Sequence, residues 1–433
     1  MLREHGGLSR RGVAAGLFAG VLLGAAACGE VTANPDAGDD TGEADAGGQA
    51  GGDDAGAAPD ARPDCDDGFT GSDCAECTVF VDGGDGADGN EGLSWEDAVE
   101  SVSAGIGRAA TRLDSDDQER CSVWVREGTY VPGDSRDDSF ELAPGVHLYG
   151  GFAGFETARE DRNVDQYETT LSGDIDASGD LDENAYHVVT ATNIGAGDAT
   201  LDGFTITAGH ADGSGDDRLG GGMVNDDASP ALENVVFTDN QASGIGGAME
   251  NRGDSAPTLI NVSFVDNQAE FGGGMNNQSD SAPTLINVSF NGNQAEDDGG
   301  AILTRLSAEG QIFNSILWGN DAGDDGNEIA HESDEDLVIE TSIVEAAGGE
   351  GIHEDGDGDL VDDDLSEDNP QFVDAPDDLR LSGASGAAID AGDESVIEDV
   401  EFPDTDLAGE PRIVDGDGSG DAVIDLGAYE YQP

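Results

Sequence analysis

Between Asn234 and Asn320 one pattern is written three times and then a fourth time in degraded form. Asn234-Val-Val-Phe237-Thr-Asp-Asn240-Gln-Ala242 leads to Gly246-Gly-Ala-Met249, and Asn261-Val-Ser-Phe264-Val-Asp-Asn267-Gln-Ala269 to Gly272-Gly-Gly-Met275. Asn287-Val-Ser-Phe290-Asn-Gly-Asn293-Gln-Ala295 leads to Gly299-Gly-Ala-Ile302, and Asn314-Ser-Ile-Leu-Trp318-Gly-Asn320 keeps the frame with Leu for Phe. The leading asparagines are spaced by 27, 26 and 27 residues. A unit this short buries its apolar face only by stacking on a copy of itself, so the period predicts a solenoid.

Each unit holds short β-type segments such as Leu259-Ile-Asn-Val-Ser-Phe264, cut by Gly, Asn and Asp, and lacks a ten-residue run with helical spacing. Leucine-rich and helical repeats therefore fit poorly, and a parallel β-helix, whose coils lie about 4.8 Å apart, fits well. Phe237, Phe264 and Phe290 then form an aromatic stack, and Met223, Met249, Met275 and Ile302 an aliphatic one. Asn240, Asn267 and Asn293 form a hydrogen-bonded ladder. The Gly-Gly pairs supply positive φ or room at tight turns.

The FxxN and GGA[IM] tetrapeptides resemble the repeats of chlamydial polymorphic outer-membrane proteins, which implies a right-handed parallel β-helix used as a surface adhesin or autotransporter passenger. Upstream, Leu148-Tyr-Gly-Gly-Phe-Ala-Gly-Phe-Glu156, Leu171-Ser-Gly-Asp-Ile175 and Leu201-Asp-Gly-Phe-Thr-Ile-Thr207 are similar to the opening coils of bacterial choice-of-anchor Q domains. Asn369-Pro-Gln-Phe372, Ala388-Ile-Asp-Ala-Gly392 and Asp425-Leu-Gly-Ala-Tyr-Glu430 extend that resemblance to residues 369–431, so that it covers Thr78 to Tyr431. Gly386-Ala387 stands where that group usually has Ser-Pro, and an acidic insert precedes Asn369. The resemblance implies that Asp390, Arg412 and Glu430 form a terminal charge-paired lock.

A solenoid also fits the balance of 36% hydrophobic residues and 67 glycines in a chain of 433. Net charge is −80, and all 16 basic residues are Arg. Such a surface repels nucleic acid and anionic lipid, and suits a solvated acidic coat in saline surroundings.

Residues 1–28 read as a signal peptide: Arg3, Arg10 and Arg11 precede an apolar run, too short to span a bilayer, that ends at Ala25-Ala-Ala-Cys28. The ending resembles a bacterial lipobox, which implies lipidation of Cys28 and anchorage at the outer membrane, on the cell surface or its periplasmic face. Residues 29–64, rich in Gly, Ala and Asp, are expected to be a disordered tether averaging roughly 35 Å end to end. Cys65-Asp-Asp-Gly-Phe-Thr-Gly-Ser-Asp-Cys74-Ala-Glu-Cys77 resembles half of an epidermal-growth-factor module (65–77). With Cys121, the four cysteines of an exported chain allow three pairings; we favour Cys65 with Cys74 and Cys77 with Cys121.

The fold class read from residues 78–433 is therefore all-β, a parallel β-helix with a capping helix near 94–113 and repeats over 201–320. Ser94 is placed as the helix cap, with Asp97 completing a capping box and Trp95, Ala98, Val102, Ile106, Ala109 and Leu113 on its buried face. Strands are expected at Val79–Val81, Val123–Val125, Val146–Leu148, Leu171–Ile175, His187–Thr190 and Leu201–Thr207, in a rod of about ten coils, roughly 45 to 50 Å long.

Asp355, Asp357 and Asp359 alternate in the manner of a calcium loop but lack an EF-hand's Gly and closing carboxylate. Asp415-Gly-Asp-Gly-Ser-Gly-Asp421 has the Gly and lacks the carboxylate. Calcium is the one cofactor that these loops imply. His147, His187 and His210 read as packing residues, and Asp226-Asp227, Asp202 and Asp239 form no evident convergent set. No catalytic residue is assigned. The reading is a non-enzymatic surface lipoprotein that displays an acidic rod for adhesion or for contact with matrix, polysaccharide or a surface protein. The alternative is a polysaccharide lyase or glycoside hydrolase on the same scaffold.

Overall fold

In the computed structural model the described residues are 77–433, less 117–119, 180, 346–350, 357, 364, 398–399 and 401. Cys28, the tether, and Cys65 and Cys74 lie outside them. Residues 78–363 wind as a parallel β-helix. One sheet runs through ten successive strands from Thr78–Val81 to Leu360–Asp363, a second through eight, and a third through five two-residue strands from His210–Ala211 to Asp321–Ala322. Ten strands in the first path make nine steps, or about 43 Å of rod at one strand spacing each.

The sequence period becomes the strand register. Phe237 pairs with Phe264 and Phe264 with Phe290, while Met223, Met249, Met275 and Ile302 pair in succession on the second sheet. The phenylalanine rings stack with centroids 4.9 and 4.4 Å apart and planes within 4°. All of these side chains are buried in one continuous core.

Gly272, at φ 62°, shows why the glycines recur. A Cβ there would come within 2.7 Å of the Met275 carbonyl oxygen. Gly272→Ala is expected to cost more than about 1 kcal/mol, read as a lower urea midpoint at unchanged slope.

The opening strands fall at Thr78–Val81, Cys121–Arg126, Val146–Phe152, Thr169–Ser172, Val189–Thr192 and Thr200–Thr207. The capping helix is shorter and later than the sequence predicts. Trp95–Asp97 is a single 3-10 turn with no side-chain cap from Ser94, Ala98 is extended, and the α-helix runs Val102–Asp116. Sheet pairing outcompetes helix here. Val99 donates to the Phe80 carbonyl and accepts from Asp82 N, bridging to Val81 as an extra rung. Ser101 replaces Ser94 as the cap, its Oγ accepting from Ala104 N at 3.2 Å. Val102, Ile106 and Ala109 are buried over the first coils, so the helix covers the rod's end. Cys77 and Cys121 are joined by a disulfide between adjacent rungs.

Beyond Ser366 the described residues add no further rung. They form two antiparallel hairpins, Phe372–Asp374 with Asp378–Leu381 and Ile413–Val414 with Val423–Ile424, laid back along the outside of the first sheet. The repeat-leading asparagines hold them there. Asn234, Asn261, Asn287 and Asn314 all have φ between 49° and 56°. Three of them reach the C-terminal segment: Asn261 Nδ2 donates to Thr405 O, Asn287 Nδ2 to Asp425 O, and Asn314 Nδ2 to Asp393 O. Leu381, Ala388, Ile389 and Leu426 bury a second small core against Ile316 and Ile343.

Candidate functional site

Alternation along each strand sends every second side chain outward. Leu148, Leu201 and Leu232 face the core, so their neighbours Tyr149, Asp202 and Glu233 form an outward column on three successive coils. The column then turns apolar at Ile260 and Ile286, both buried, at the level where the C-terminal segment is hooked on. Where it is polar, a groove of about 490 Å³ opens between the loop at Arg159–Val164 and the C-terminal stretch at Phe402–Gly409.

The groove floor is prearranged. Arg162 pairs with the Asp202 carboxylate and also donates to the carbonyls of Gly150 and Asp202 at 3.3 and 3.2 Å. Asp202 Oδ1 accepts from Asn234 Nδ2 at 2.9 Å, so both its oxygens are engaged and it is only 4% exposed. The guanidinium carbons of Arg159 and Arg162 lie 4.9 and 5.4 Å from the Tyr149 ring centroid, and Arg159 Nη1 donates to the Tyr149 hydroxyl. Burial raises the Tyr149 phenol, which therefore stays neutral.

At one wall, Arg120 Nε donates to His147 Nε2 at 3.0 Å. Burial, then the charges of Arg120 and Arg159, push His147 down to about 4. A neutral imidazole accepting at Nε2 carries its proton on Nδ1, which donates to Thr200 Oγ1 at 2.8 Å. His147 is thus a support for Arg120, and His187 and His210 bond to the carbonyls of Gly220 and Leu181.

Sequence reasoning missed this site. Asp202 has an Arg beside it after all, contrary to the absence of a convergent set inferred above, because Arg162 arrives from a loop 40 residues earlier. Asp226 instead pairs with Arg252, and Asp227 caps Asp254 N.

The ladder asparagines are buried and joined end to end. Asn240 Nδ2 donates to Asn267 Oδ1, Asn267 Nδ2 to Asn293 Oδ1, and Asn293 Nδ2 to Asn320 Oδ1 at 3.1, 2.9 and 2.8 Å. The column ends on Glu328, whose carboxylate accepts from both Asn320 N and Nδ2.

Asp357 lies outside the described residues. Asp355 N bonds to His331 O and Asp359 N to Asp336 Oδ1, so this run serves as a rung of the rod. Asp390, Asp415 and Asp417 bring carboxylate oxygens within 4.8 Å of one another, close enough to share a hard cation. Asp390 comes from outside the Asp415–Asp421 loop, a contact invisible to a local motif. In the charge-paired lock, the Arg412 and Glu430 charges do interact, joined by those of Asp406 and Asp425. Buried Arg412 donates to Gly427 O, while Asp406, Asp425 and Glu430 accept backbone N–H groups. Asp390 accepts from Asp417 N and Val423 N.

Fold and repeat together define a parallel β-helix protein. Residues 287–305, the third repeat, match the Chlamydia polymorphic membrane protein repeat. No curated protein matches the chain.

Proposed function

We propose that the chain is an exported surface protein, anchored through lipid at Cys28, whose β-helix contacts extracellular polysaccharide along its flank and does not cleave it. The engaged state of Asp202 carries this reading: the carboxylate in the groove floor is buried and bound by Arg162 and Asn234, which suits positioning rather than proton transfer. The repeat match and the disulfide support export. The resemblance to choice-of-anchor Q domains supports a bacterial surface setting.

One observation favours a hydrolase as the second reading. Asp202 and Glu233 are register partners on adjacent coils, about 4.8 Å apart at Cα, near the spacing that retaining glycosidases use between carboxyl groups.

Incubating the full chain with a polysaccharide panel decides between them. Retention without new reducing ends or unsaturated sugars is the expected result, and steady release of either would establish the enzyme. For the anchor, Cys28→Ser is expected to move the protein from the membrane to the soluble fraction, and its persistence at the membrane would remove lipidation from the account.

A further inference from the structure

We infer that the flank groove takes an uncharged polysaccharide, one recognised through its hydroxyl groups alone. This rests on the polysaccharide-contact reading and names its ligand class.

Three observations carry it. The first is extent. A second hollow of about 340 Å³ shares Val164 and Asn234 with the first and lies over Gly203, Thr205 and Val236, further along the same two strands, so the furrow continues across the rod in the strand direction and suits a polymer rather than a single small molecule.

The second is the sign and mixture of the charges. In the first hollow Arg120, Arg159 and Arg162 face four carboxylates, those of Glu160, Asp202, Glu233 and Asp404. In the second, Arg380 faces Asp165, Glu168, Asp377 and Asp378. A polyanion finds no surplus of positive charge there, on a chain whose net charge is −80. A polycation would have to lie against two guanidinium groups held over Tyr149, within 5.4 Å of its ring centre.

The third is the kind of hydrogen bonding on offer. Guanidinium groups only donate and carboxylates only accept, and here Arg120 and Arg159 line one hollow together with Glu160, Glu233 and Asp404. A sugar hydroxyl donates and accepts at once, so a row of hydroxyls bridges such a floor where a ligand of one sign cannot. Half-buried Phe402 at the rim adds an apolar surface for the C–H face of a pyranose.

Affinity electrophoresis of the full chain tests this with soluble β-glucan, xylan and dextran as neutral probes, polygalacturonate as the anion and chitosan oligomers as the cation. At least one neutral polymer is expected to retard the protein equally at about 50 and about 500 mM NaCl, since no net charge is being neutralised. Arg159→Ala and, separately, Glu233→Gln are expected to weaken that binding about tenfold or more, with circular dichroism showing that both variants keep the β-helix. Preferential, salt-sensitive binding of polygalacturonate or chitosan would overturn the ligand class and leave the contact reading standing. Neutral binding that survives both substitutions would overturn the site. Binding of none of the probes would overturn the inference and the reading beneath it.

Discussion

Asn267→Ala is expected to lower the stability of the β-helix by about 2 to 6 kcal/mol, the largest effect of any single substitution that removes no core volume of note. The side chain works in four directions. Its Oδ1 accepts from Asn240 N and Asn240 Nδ2, both at 3.1 Å, and its Nδ2 donates to Phe237 O and Asn293 Oδ1. Alanine leaves two donors of Asn240 without an acceptor in a place closed to water, at about 1 to 3 kcal/mol each. Urea unfolding of wild type and variant measures the difference. A loss under about 1 kcal/mol would mean that the ladder does not bind coil to coil.

The second large effect is on pH dependence, and it runs against the usual acid sensitivity of proteins. Burial pushes Glu250, Glu328 and Glu430 each up to about 8. In the unfolded chain a glutamate titrates near its ordinary value, about 4.3. The folded state therefore binds these protons more tightly than the unfolded one. Their contribution is complete below about pH 4 and is lost as pH climbs through about 8.

Glu250 and Glu328, each enclosed among amides rather than in a cluster of charges, carry most of it, on the order of several kcal/mol together. Asp216 and Asp378 act in the other direction, lowered first by hydrogen bonds from Arg252 and Arg380, so their contribution fades below the ordinary aspartate range. The melting temperature is accordingly expected to peak between about pH 4 and 6 and to fall steadily to about pH 9. Glu250→Gln combined with Glu328→Gln should flatten the alkaline limb. An unchanged slope in that double variant would show that the two carboxyl groups are not the source.

How far the sequence discloses this molecule depends on whether the deciding contact repeats. Phe237, Phe264 and Phe290 recur at the coil period, and stacking follows from the period alone. The asparagine ladder is legible for the same reason, although its terminus on Glu328 is not, because Glu328 belongs to no repeat. The helix start was misplaced because a local capping pattern at Ser94 says nothing of the Val81 edge, which draws Val99 into a rung.

Distance in sequence hides the rest. Asn261 and Asn287 look like any repeat positions, yet their partners lie 144 and 138 residues further on. Tyr149, Asp202 and Glu233 share a face through opening coils of unequal length, which carry no period to align them. The groove is therefore written in the irregular part of the chain, where a single sequence offers register only after the fold is known.

The account stands on coils that lie in register along one rod. Nitroxide labels introduced as non-natural residues at Thr258 and Gln311 test it, since Thr258 pairs with Thr284 and Thr284 with Gln311. Two strand spacings separate the labelled backbones, so electron paramagnetic resonance is expected to give one narrow distance near about 10 Å. A broad distribution centred beyond about 20 Å would contradict the stack, and with it the flank on which the groove is built.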